Sequence, residues 1–149
     1  MYDNGTVFIN ASKPNERAIL AKMRTHNNNW KRKGSGSDYY AVLDDPRAPL
    51  VHELGHLKHE AHVKSHAKKT GITYAESKRR FNGKLLEMLE REGYNIGRDI
   101  SGYAKRHHDS FIGELNASNE IISESFSKAI LKNNKKAKKI IKLLEREEW

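Results

Sequence analysis

Most apolar positions along the chain fall at helical spacing, and two short runs are strand-like. Thr6-Val7-Phe8-Ile9 and Tyr39-Tyr40-Ala41-Val42-Leu43 have the β-branched and aromatic content of strands, the second closed by Asp44-Asp45-Pro46. Between them Ser12 and Pro14 open a helix to about Thr25, because a proline's missing N–H costs nothing in a first turn. Asn27-Asn28-Asn29 is expected to end it, and Lys31 to Ser37 reads as a basic Gly/Ser-rich loop. Pro49 marks the first turn of a long second helix, running to about Lys69 and stopped by Gly71. Thr73-Tyr74-Ala75-Glu76 is a capping box that opens a third helix to Arg91 or Glu92. Leu85, Leu86 and Leu89 form its apolar stripe, and Gly93 stops it. Tyr94 to Lys105 reads as loop or short strand. Asn116 or Ser118 caps a fourth helix through Ile130, Asn133-Asn134 interrupts it, and a final helix buries Ile140, Ile141, Leu143 and Leu144. The pattern predicts an α+β fold in a single domain spanning residues 1–149.

Composition narrows this picture in a few places. The 149 residues suit one hydrophobic core, and 36% hydrophobic content is low but enough for an α-rich fold. A net charge of +9 favours nucleic acid, an anionic lipid surface or an acidic protein as partner, without choosing among them. The absence of cysteine excludes disulfides and Cys-based zinc or redox centres. No apolar run approaches the ~18 residues of a spanning helix, so no membrane association is expected. The first residues lack the basic and apolar regions of a secretory signal. Met1 reads as an added start on a domain taken from a longer chain, since a strand-like run begins almost at once. Lys132, Lys135, Lys136, Lys138, Lys139 and Lys142 read as a solvated basic face, able to make weak, non-specific phosphate contacts with DNA. Trp30 and Trp149 read as packing or chain-end residues, and His59, His62 and His66 as surface histidines.

The second helix carries the chemistry. His52 and His56 lie four residues apart in His52-Glu53-Leu54-Gly55-His56, so both imidazoles share one face, one turn apart. Two such nitrogens reach one tetrahedral ion at ~2.0–2.1 Å. Glu53 then stands beside the metal, where it can take a proton from water and pass it to a leaving amine. Gly55 leaves room there, at roughly 1 kcal/mol of helix propensity relative to Ala. A chain this rich in histidine shows the H-E-x-x-H pattern by chance about once in thirty. The rival to a metal site is therefore a solvated His-rich helix, because His59, His62 and His66 continue the run.

Zinc needs a third protein ligand, and two candidates are readable. His62 requires the chain to turn after His56, because on a continuous helix it lies ~15 Å from His52. The alternative is a carboxylate from Asn119-Glu120-Ile121-Ile122-Ser123-Glu124-Ser125-Phe126, where Glu120 and Glu124 share a face. Two carboxylates on a part-buried helix are costly unless paired or metal-bound. One can ligate zinc while the other orients an imidazole. An ordinary amphipathic helix with solvated glutamates is the plain rival.

The order strand, H-E-x-G-H helix, Ser101-Gly102-Tyr103-Ala104, then Asn119-Glu120-x-x-x-Glu124-x-Phe126 resembles the gluzincin metalloprotease domain of lethal-factor-type toxins. It is also similar to related domains in phage and prophage minor head proteins, and covers about residues 38–131. The segment between Tyr103 and Glu120 is longer than in the toxins and holds Lys105-Arg106-His107-His108. The resemblance implies a zincin-like α+β fold with a small sheet packed on the motif helix and additional C-terminal helices. It implies zinc ligation by His52, His56 and Glu120, with Glu53 as general base, Tyr103 as donor to the oxyanion and Glu124 behind a ligand. Tyr40, Ala41, Val42 and Leu43 would form the sheet edge along which a peptide substrate adds. The expected function is a zinc metallopeptidase acting on protein or peptide. The rival is a non-catalytic phage head module, with zinc structural or absent, which binds capsid or portal proteins or DNA. The implied location is cytoplasmic or virion-associated; an injected effector toxin would share the chemistry.

Overall fold

Helix α1, Glu16–Arg32, opens where the side chain of Asn15 accepts the Ala18 N–H at 3.2 Å. The computed structural model describes residues 15–149 in full and, before them, only the backbone of 2–3 and 6–7. The expected helix opening at Ser12 and Pro14, and Phe8-Ile9 of the first strand-like run, lie outside the described residues. Helix α1 runs through Asn27-Asn28-Asn29 rather than ending there. Asparagine weakens a helix by competing for nearby backbone, but Asn27 is buried and engaged elsewhere. Its amide donates to Asp38 Oδ1 at 3.1 Å and accepts the Tyr39 N–H at 2.7 Å.

Helix α2, Ala48–Thr70, takes Pro49 in its first turn and ends at Gly71, whose φ of 72° is a left-handed stop. Thr73 Oγ1 caps α3, Tyr74–Arg91, by accepting the Glu76 N–H at 3.1 Å. The stretch expected to be loop or strand is helical instead. A single π-helical turn, Ile96–Ile100, leads into α4, Gly102–Ser110, which Ser101 caps through the Ala104 N–H at 3.0 Å. Helix α5, Asn119–Lys132, ends at Asn133 with φ 53°, and α6, Lys135–Arg146, starts where Asn134 accepts the Ala137 N–H at 2.9 Å.

The expected α+β architecture is overturned, because the described residues are overwhelmingly helical. Their extended pairing is confined to Tyr2–Asp3 against Thr6–Val7, a hairpin of two rungs and not a sheet layer. The second strand-like run, at residues 39–43, is irregular. Helices take backbone groups of Tyr39 and Ala41 and of Asp38 just before the run. Asp38 and Tyr39 carbonyls accept the Gly102 and Tyr103 N–H groups at 2.7 and 2.8 Å, while the Ala41 N–H reaches Glu124 Oε2 at 2.6 Å. The sheet-edge role expected of Tyr40, Ala41, Val42 and Leu43 falls with the sheet.

Helix α5 is the central element, packed against α2, α4 and α6. Its Ile121 and Ile122 meet Phe81 and Leu85 of α3 and Ile140 and Leu144 of α6 in the fully buried core. Leu86 is 40% exposed, so the α3 stripe is Phe81, Leu85, Met88 and Leu89. That spacing keeps one face, whereas Leu86 lies ~100° round from Leu85. Trp149 is a packing residue, its ring 5.0 Å from Phe81 and 4.8 Å from His66. Several lysines of the basic run clamp α5 and α6 to neighbouring segments: Lys132 to Asp44, Lys136 to Asp99 and Lys139 to Glu92. No described helix is long and apolar enough to cross a membrane.

The surface expectation for the α2 histidines is also corrected. Packing of α5 and α3 on α2 leaves His59 and His66 only 3% exposed. His66 Nδ1 hydrogen-bonds Ser77 Oγ at 2.8 Å. The His59 ring lies 5.0 Å from Phe81, and its Nε2 has no hydrogen-bond partner. Burial, reinforced by Lys78, lowers its pKa to about 3. The folded state therefore refuses a proton that the unfolded chain accepts near pH 6.5. His59's share of stability is complete above that pH and declines as pH falls toward 3, by at most ~1.4 kcal/mol per unit. His59→Leu is expected to flatten the acid limb of stability in urea titrations between pH 7 and 4. Parallel limbs for the two proteins would refute this.

Candidate metal centre

Two helices build the site, and each contributes two side chains one turn apart. Helix α2 supplies His52 and His56; the first two turns of α5 supply Glu120 and Glu124. What brings these pairs together is the residue between each. A Cβ built on Gly55 would stand 2.8 Å from Ser123 Cα, 3.1 Å from Phe126 Cβ and 3.3 Å from the Ser123 carbonyl oxygen. The room left by Gly55 is thus filled by the backbone of α5 rather than kept for an ion. Gly55→Ala is expected to lower stability by ~1–3 kcal/mol through overpacking, despite ~1 kcal/mol gained in helix propensity. Urea denaturation checks this, and an unchanged or higher midpoint would contradict the close approach.

His52 Nε2 lies 3.1 Å from Glu120 Oε2 and 3.1 Å from His56 Nε2, and His56 Nε2 lies 3.5 Å from the same oxygen. Ligands arranged tetrahedrally at ~2.0–2.1 Å from zinc stand ~3.3 Å apart. These three atoms already have that spacing, and they form the His/His/carboxylate group in which a metal fits. Glu120 Oε2 is buried and lacks an aligned hydrogen bond, although both imidazoles are close. An oxygen so placed suits a shared cation better than it suits either N–H. The residues therefore fit zinc.

The other imidazole nitrogen of His52 is already committed. Its Nδ1 donates to Glu124 Oε1 at 2.7 Å, since a carboxylate can only accept. That fixes the Nε2 lone pair of the neutral ring toward Glu120 and His56. Glu124 is fixed in turn by the Ala41 N–H on its other oxygen. Burial opposes charge on His52, but Glu120 and Glu124 outweigh it and raise its pKa to about 10. Burial likewise opposes charge on Glu120, yet the two imidazoles hold its carboxyl well below the usual range.

Tyr103 is brought to the same place by the cap of α4. Its ring centroid lies 6.0 Å from His52, and its N–H donates to the Tyr39 carbonyl at 2.8 Å. Burial, with Glu120 next, pushes its phenol pKa up, so it stays a proton donor at neutral pH. The segment after Tyr103 continues as the later turns of α4 and the turns at 111–118. Glu53 follows His52 on α2 and is partly exposed. His62 does not join the group. Helix α2 continues unbroken to Thr70, and His62 Nδ1 instead pairs with Glu147 at 2.8 Å.

An aromatic cluster behind the site was not legible in the residue pattern. Tyr39 stacks on His26 of α1 at 4.5 Å and touches Trp30, Tyr40 and Tyr103 at 5.1, 4.8 and 5.4 Å. The only local signal in α1 was the run of asparagines, which reads as a stop rather than as the anchor for Asp38 and Tyr39. Comparison of the chain with protein-family models, curated proteins and solved structures finds no match.

Proposed function

We propose that this chain is a zinc-dependent metallopeptidase. The observation that carries the reading is the convergence of His52 Nε2, His56 Nε2 and Glu120 Oε2 at zinc-ligand spacing, one residue from Glu53. Zinc bound there would polarise the scissile carbonyl and lower the pKa of a water molecule. His52, His56 and Glu120 would hold the ion, and Glu124 would keep His52 in the ligating tautomer. Glu53 would take the proton of the attacking water and deliver it to the leaving amine. Tyr103, with its phenol proton retained, would donate to the carbonyl oxygen as charge builds there.

The reading differs from a structural zinc site in one residue. A structural site needs only ligands, usually four of them from protein. Here three candidate ligand atoms converge and a carboxylate follows the first. The test is metal-dependent hydrolysis. Purified protein should carry about one zinc per chain and cleave members of a random peptide library. A chelator should stop cleavage and added zinc restore it. A His52→Ala/His56→Ala variant that retains stoichiometric zinc would refute the site, and cleavage that survives complete metal removal would refute the mechanism.

A further inference from the structure

A cleft of about 210 Å³ opens between the end of α1, the segment 36–41, the π-helical turn and α5. Sites for drug-sized ligands run to ~300–1,000 Å³, so this one admits a single side chain or a small ion. Its charged lining comprises Lys31, Arg98 and Lys128 against one carboxylate, Asp38. Asp38 is already held by Lys31 at 2.8 Å and Asn27 at 3.1 Å. Arg98 pairs with Asp99 at 2.9 Å, a carboxylate shared with Lys136. Lys128 differs from both. It is half-buried, and its hydrogen bonds go to the neutral carbonyls of Asp99 and Ile100 at 2.9 and 3.2 Å. An ammonium has three donors, which leaves one beyond these two. Burial pushes its pKa down, as expected of a cation short of compensation.

The cleft also adjoins the metal centre. Ala41 lines it and gives its N–H to Glu124, the residue that holds His52. Tyr40 lines it too, with its ring 6.2 Å from Tyr103, whose ring is 6.0 Å from His52. Extended peptide covers ~3.3 Å per residue, so those two ring steps span about four residues.

We propose that this cleft binds the carboxylate of an acidic residue in the substrate peptide, within about four positions of the scissile bond. The inference rests on the metallopeptidase reading, but binding can be measured without turnover. The probes are paired fluorescent peptides that differ only by Asp or Glu against Asn or Gln, titrated onto zinc-loaded Glu53→Gln protein by anisotropy. The acidic member should bind about tenfold tighter, the size of one charge-assisted hydrogen bond. Lys31 and Arg98 are largely solvent-exposed, so their replacement spares the core. Lys31→Gln/Arg98→Gln should cut the ratio severalfold, and Lys128→Met should bring it near one. Inorganic phosphate should compete with the acidic peptide alone. Equal binding of both members would overturn the proposal, as would a ratio unchanged in the Lys31→Gln/Arg98→Gln protein. Phosphate binding without peptide discrimination would also overturn it, by showing a site for free anions. An acidic preference lost in these variants supports it even if wild-type protein cleaves nothing, a result that would sink the metallopeptidase reading alone.

Discussion

Glu53→Gln is expected to lower peptide hydrolysis by about 10²–10⁴-fold, the usual contribution of a general base, while zinc content stays at the wild-type level. The separation follows from position. His52, His56 and Glu120 make the group that could hold a metal, and Glu53 is not among its atoms. A glutamine keeps the size and helix compatibility of the side chain but cannot accept a proton from water. Side-by-side digests of a peptide library, with metal analysis of both proteins, give the answer. Equal cleavage by the two proteins would remove Glu53 from the mechanism. Equal silence with full zinc occupancy would favour a non-catalytic metal site.

Local signals carried the end of α2 and both ends of α3. Gly71 and Gly93 mark stops where the backbone turns left-handed, and Thr73 caps α3 through its own side chain. The two faces of the candidate site were legible for the same reason, since a four-residue spacing of His52 with His56, or of Glu120 with Glu124, is a property of a single helix. Long-range partners account for most of the failures. Tyr39 to Leu43 has strand composition, yet Asn27, Tyr103 and Glu124 claim backbone groups of Tyr39 and Ala41, and Glu124 lies 83 residues from Ala41. His59 and His66 belong to a residue type that is usually exposed, but a helix packed on two sides buries them. In the residue pattern Gly55 is space beside an ion; only the placement of Ser123 shows that the space belongs to α5.

Glu120→Ala is expected to weaken zinc binding more than ~100-fold, beyond the ~10–100-fold typical of losing a partner that merely orients a ligand. The substitution removes the one anionic atom of the group and leaves two imidazoles 3.1 Å apart with no anionic ligand for a dication. Glu124→Ala should fall in the smaller range, because it frees the His52 ring to choose its tautomer while all three ligand atoms remain. His62→Ala should leave affinity unchanged, since that ring pairs with Glu147 and not with the cluster. Competitive titration against a zinc-binding dye orders the three variants. Circular dichroism of the metal-free proteins separates lost affinity from lost fold. If Glu120→Ala binds zinc as tightly as wild type, the third ligand is elsewhere. If His62→Ala is the variant that fails, α2 turns after His56 when metal binds, and Glu120 belongs to the surroundings rather than to the ion.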